Sequence, residues 1–155
     1  MPIDAKELQA FAKRNCVAEA DEVSLRASAS RAYYAAYHAL LPFAEKLPPS
    51  SIEQLGATHL GHSEMSRRLK EWHVGGLSSK LKGMTVTGGQ LALSIRALRQ
   101  TREVADYRLG ATLTYSEADQ QIDRARLVLS KVLQIQAILD PPKIGSTPAP
   151  ANATG

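Results

Sequence analysis

Apolar residues in this chain recur at intervals of three and four, and no stretch alternates between apolar and polar. Alternation marks a half-buried strand, whereas the three-and-four spacing marks a helix that buries one face. A chain patterned this way can hide its apolar positions only by laying helices side by side. The expected fold class is therefore all-α: an antiparallel bundle of four main helices plus a short N-terminal helix.

The short first helix is expected over residues 5–14, with Leu8, Phe11 and Ala12 on one side. Asp4 and Glu7 stand three apart, as a capping box requires. The second helix is expected over 20–46. Ala29, Tyr33, Ala36, Leu40 and Phe43 form one stripe, and Tyr34, Tyr37, Leu41 and Ala44 form a neighbouring one. An arc this wide predicts a central helix, and it also predicts a homodimer or a heteromeric partner, because one side is too apolar to face water. Pro42 removes one backbone donor, and Pro48-Pro49 ends the helix. A third helix is expected from residue 60 or 63 to 72, with Arg67, Arg68 and Lys70 on a solvated face. Five glycines between 73 and 89 read as a loop with at most a short turn inside. Lys80 and Lys82 lie in that loop without the spacing of a phosphate-binding P-loop.

The fourth helix is expected to start near Gln90, with Arg96, Arg99 and Glu103 on its outer side. Its stripe is Leu91, Ile95, Leu98, Ala105 and Leu109, and the position that completes it is Arg102. An arginine on a core-facing seam must find a carboxylate, carbonyls or a wet cleft. Asp106, four residues on, offers an intrahelical ion pair. The last helix is expected over 117–139, capped by Ser116 and Asp119, with Ile122, Ala125, Leu129, Val132, Gln136 and Leu139 facing the core. The Pro-, Ala-, Ser- and Thr-rich residues 141–155 predict a disordered tail, leaving 1–140 as one helical domain.

Length and charge narrow the function classes. A chain of 155 residues, 44% of them hydrophobic, suits one domain with a real core. The formal charge of +4 permits an anionic partner such as RNA without demanding one. A lone cysteine, Cys16, excludes an intrachain disulfide and suits a reducing compartment. No signal-peptide pattern opens the sequence, and no run approaches the ~20 apolar residues that span a bilayer. A cytoplasmic protein without a membrane partner is expected. His59 and His62 are three apart but lack a third ligand at useful spacing, so no metal and no cofactor are expected.

The stretch SRAYYAAYHALL, residues 30–41, concentrates Arg31, three tyrosines and His38. The tyrosine rings suit the bundle seam with hydroxyls at its rim, and His38 suits a hydrogen-bonded core or interface position. Followed by ALRQTREVADYRL and then by SEADQQIDRARLVLSKVL, this stretch resembles the HEPN domains of bacteria and archaea. The specific parts are the Arg-Ala-Tyr-Tyr-Ala-Ala block and the Arg-x-x-Ala-Asp-Tyr block ahead of the last helix. The resemblance implies a helical bundle that often dimerises and a place in toxin–antitoxin or other conflict systems. A minimal nucleotidyltransferase is a common partner, and many members are metal-independent endoribonucleases. Their site pairs an arginine with a histidine four to six residues on. Here Arg102 takes the arginine position, and Asp106 and Tyr107 stand where the histidine is expected, as in one subgroup of the family.

The resemblance thus makes Arg102, Asp106 and Tyr107 the catalytic candidates, with Arg31, Tyr34 and His38 as binding candidates opposite them. Three functions follow from it: a degenerate ribonuclease, an RNA or nucleotide binder without chemistry, and a non-catalytic helical partner. Asp106 is a weak base near neutral pH, which favours the last two over efficient cleavage.

Overall fold

The structure, a computed structural model, describes residues 2–52, 60–143 and 145. It is an all-α bundle: α1 (Ala5–Asn15), α2 (Glu22–Ala44), α3 (His62–Glu71), a 3-10 helix (Ser79–Met84), α4 (Thr85–Tyr107) and α5 (Tyr115–Leu139). No strand occurs among the described residues, and no helix there is long and apolar enough to cross a membrane. Most of the proposed tail lies outside the described residues.

The helix α2 is central. It packs chiefly on α5 and α1, then on α4, and touches α3. Ala29, Ala32, Tyr33, Ala36 and Leu40 on it are fully buried, and the alanines let the flanking helices approach closely. The wide apolar arc is thus covered within one chain, which removes the reason for inferring a partner from α2.

Beyond shifts of one or two residues at the ends of α1, α2 and α3, three boundaries differ from the sequence expectation in ways that change packing. The first is the start of α4, at Thr85 rather than near Gln90, which takes Gly88 and Gly89 out of the loop. A mid-helix glycine costs roughly 1 kcal/mol relative to alanine, but a Cβ on Gly88 would meet the Trp72 ring at 2.5 Å and the Leu69 carbonyl at 2.7 Å. The missing side chain is what lets the end of α3 sit on α4. Trp72 caps α3 in the left-handed region, at φ 52°. Its buried ring and the bond from Nε1 to the Leu81 carbonyl, 2.8 Å, hold that unfavourable backbone.

The second is the start of α5, two residues early. Its capping box is Thr114 with Glu117, not Ser116 with Asp119. The turn before it is fastened from α2. Glu22 accepts from the Leu113 N–H at 3.2 Å, and Arg26 donates to the carbonyls of Val104, Ala105 and Ala111. The third is the end of α4 at Tyr107, beyond which Leu109 is 78% exposed and lies outside the predicted stripe. In α5 the buried face is also shifted: Val128 and Ile135 are core, and Gln136 is exposed.

Two polar residues hold elements together inside. Gln121 of α5 is fully buried and donates to the Leu98 carbonyl of α4 at 2.7 Å. Glu64 of α3 accepts from the N–H and hydroxyl of Ser50, each at 2.7 Å, and so ties the segment after α2 to α3.

Candidate functional site

The arginine in the seam of α4 is enclosed, as the stripe predicts. The Arg102 side chain is 11% exposed. Its guanidinium carbon lies 5.3 Å from each of the ring centroids of Tyr33, Tyr34 and Tyr107. Two of these rings come from α2, which the Arg26 fastening brings alongside the end of α4. Nη2 donates to the Tyr34 hydroxyl at 3.0 Å, and Nε stands 3.5 Å from Asp106. That ion pair is too long to serve Nε as a hydrogen bond, and Nε is buried without one. Burial works against the charge on Arg102, but the phenols of Tyr34 and Tyr107 and the carboxylate of Asp106 outweigh it and hold the pKa above the ordinary arginine value. The cation is permanent.

Asp106 also accepts from Ser30 Oγ on α2 at 3.2 Å. Tyr107 covers Arg102 with its ring while remaining 70% exposed. Tyr34 meets Arg102 with both ring and hydroxyl. His38 is exposed at the rim, stacked on Tyr34 with centroids 6.3 Å apart, and so joins the site through that ring. Arg31 is exposed and makes none of the hydrogen bonds or ion pairs of the site. Of the six candidates, the structure gathers Arg102, Asp106, Tyr107 and Tyr34, sets His38 beside them, and leaves Arg31 apart.

One participant was read differently in the sequence. His62, the first residue of α3, meets the Tyr33 hydroxyl through Nδ1 and packs on the Tyr37 ring at 4.6 Å. Tyr37 in turn donates to the Leu60 carbonyl at 2.9 Å. An imidazole thus stands behind the tyrosine that contacts Arg102, supplied by a different helix and not by the motif. No spacing in the sequence signals a pairing between positions 33 and 62. Its supposed metal partner, His59, lies outside the described residues. Among the described residues no group of three metal-ligating side chains forms. Arg67 and Arg68 both turn to Glu64, and His73 is exposed beyond the end of α3.

Two groups of the site that could move a proton, Tyr33 and Asp106, are engaged. Burial pushes the Tyr33 phenol well above its ordinary pKa against the pull of Arg102, so it stays neutral. Asp106 is committed to Arg102 and Ser30. What the site offers is a fixed cation whose donors are mostly unused, at a partly open rim. No protein-family model, curated protein or solved structure matches this chain.

Proposed function

We propose that this chain is a HEPN-type module of a toxin–antitoxin or defence system, associated with RNA or nucleotide and working by binding rather than by efficient cleavage. The observation that carries the reading is the enclosure of Arg102 between three tyrosine rings, at the position where the resemblance places the family's arginine. A guanidinium positioned beforehand loses little freedom when it grips a phosphate, and its planar fork matches two phosphate oxygens. Metal-independent cleavage of RNA also needs a group that takes up a proton near neutral pH. Asp106, held by Arg102 and Ser30, is a poor one.

The test is expression and RNA binding of Arg102→Ala and Arg102→Lys. The expected result is loss of growth arrest and of RNA binding in both variants, because lysine lacks the fork. Unchanged growth phenotype and binding in Arg102→Ala would overturn the reading.

A second reading, a non-catalytic partner of a minimal nucleotidyltransferase or of another HEPN chain, draws on the outward leucines of α5. Leu127 and Leu133 are each 54% exposed, and Leu133 borders an apolar groove of about 240 Å³ between α1 and α5. A purely monomeric species on sedimentation, with no protein co-purifying, would remove that support.

A further inference from the structure

The faces of α3 and α4 that read as solvated in the sequence turn toward one another. Arg67 and Lys70 of α3 and Arg96, Arg99 and Glu103 of α4 line a cleft of about 470 Å³. On the other side of α4, Arg96 and Gln100 form one wall of a second groove of about 430 Å³, which Arg124 of α5 completes. The two grooves lie side by side with α4 as the ridge between them, and Arg96 serves both.

Charge on this face is one-sided. The single lining carboxylate, Glu103, is taken by Arg99 at 2.9 Å. Arg67 shares Glu64 at 3.2 Å. Lys70, Arg96 and Arg124 make no hydrogen bond or ion pair with any described residue. These three unpaired cations, beside a single carboxylate that is already taken, give the face a positive potential.

We propose that this two-groove face binds the phosphodiester backbone of a single-stranded nucleic acid; the proposal deepens the RNA-associated reading above and rests on it. One groove alone would hold a mononucleotide, but the shared ridge and the further cation at Arg124 suit a ligand that continues past one phosphate group. Neighbouring helices pack roughly 8–10 Å apart, so the furrow between them admits one strand and not a duplex. No tyrosine, phenylalanine or tryptophan lines either groove. Recognition is therefore of phosphate and sugar, with base identity unread. The first cleft also shares residues with the surroundings of the tyrosine site. His62 lines it and meets Tyr33. Arg99, one turn ahead of Arg102, crosses to α3 through a bond to Ser63 Oγ at 3.0 Å.

The experiment measures fluorescence anisotropy of a labelled oligouridylate of about 12 nucleotides with the full chain. An oligothymidylate of equal length, ATP as competitor and phosphatidylserine vesicles are run beside it, from about 50 to 200 mM salt. Binding with a log–log salt slope of about −2 to −3.5 is expected, at about 0.7 per phosphate on single strands. The triple variant Lys70→Gln, Arg96→Gln, Arg124→Gln should keep its melting temperature, bind about tenfold or more weakly, and lose about 2 from the slope. Equal RNA and DNA binding identifies the backbone alone as the ligand, and a preference for RNA identifies contact with the 2′-hydroxyl; both support the proposal. Four results overturn it: no binding of either oligonucleotide at low salt, ATP competing as well as the oligonucleotide, binding to vesicles alone, or an unchanged triple variant. If Arg102→Ala loses binding while the triple variant keeps it, the grooves fail and the Arg102 reading stands. If the triple variant loses binding while Arg102→Ala keeps both binding and growth arrest, the Arg102 reading fails and the grooves stand.

Discussion

Glu64 and Arg102 are about equally enclosed, with side chains 10% and 11% exposed, yet they are held by different means. Glu64 spends its acceptors: Ser50 gives it two bonds, and Nε of Arg67 and of Arg68 give it one each, at 3.2 and 2.9 Å. Arg102 spends only one hydrogen bond, to Tyr34. The rest of its surroundings are ring faces, which attract a cation without occupying an N–H. A charge locked by hydrogen bonds is finished with, whereas a charge locked by aromatic faces keeps its donors for something else. That difference separates a structural node from a candidate binding group, although both are buried ions on helices.

The comparison predicts unequal costs. Glu64→Ala removes the enclosed carboxylate that Arg67, Arg68 and the two Ser50 donors share. Destabilisation of about 3–5 kcal/mol is expected from urea denaturation, with nucleic-acid binding kept by the folded fraction. A loss below about 1 kcal/mol would show that the node is not what holds the segment after α2 to α3.

The same node should respond to acid. Burial by itself would raise the Glu64 pKa, but the two Ser50 donors and the two guanidiniums outweigh it and hold the pKa at about 2, against an ordinary 4.5. The unfolded chain therefore takes up this proton first on acidification. The stabilisation is fully present above about pH 4.5 and is lost as pH falls toward 2, a change of about 3 kcal/mol in all. A pH series of denaturation curves should show this slope in the natural chain and its loss in Glu64→Gln.

Arg102→Ala should cost less, about 1.5–3 kcal/mol, since each of its three contacts between cation and ring is worth roughly 0.5–1 kcal/mol at a partly open site. Its abandoned partner, Asp106, is 28% exposed and can be hydrated. A loss as large as that of Glu64→Ala would place Arg102 with the structural nodes.

The bundle was legible in the sequence because helical periodicity is a local signal, carried by every stripe from Ala29 to Leu40 and from Leu91 to Ala105. Enclosure of Arg102 was legible for the same reason: it completes a stripe. The start of α4 was not, because glycine propensity argues for a loop and only the Trp72 ring over Gly88 argues otherwise. The Tyr33–His62 contact and the facing of Arg67 and Lys70 against Arg96 and Arg99 were illegible too. Each joins residues far apart in sequence, and a stripe says which way a helix faces without saying what it meets. The polar faces of α3 and α4 read correctly as outer at Lys70 and Arg96 but not at Arg68, which turns inward to Glu64 with its side chain 10% exposed; that the two faces line one cleft is a tertiary fact.

The smallest expected effect tests the comparison most closely. Tyr34→Phe deletes the hydroxyl that accepts from Arg102 Nη2 at 3.0 Å and leaves the ring, 5.3 Å from the guanidinium carbon, in place. If ring faces hold the guanidinium, the loss is a single hydrogen bond at a partly open rim, about 1 kcal/mol or less. The guanidinium keeps its planar fork, so oligouridylate affinity should stay within about twofold while Arg102→Lys loses it. A thermal melt and one anisotropy titration decide the matter. Should Tyr34→Phe cost as much stability as Arg102→Ala, the hydroxyl and not the rings holds the cation. Arg102 would then be committed by hydrogen bonding, as Glu64 is, and the physical reason for treating the two charges differently would be gone.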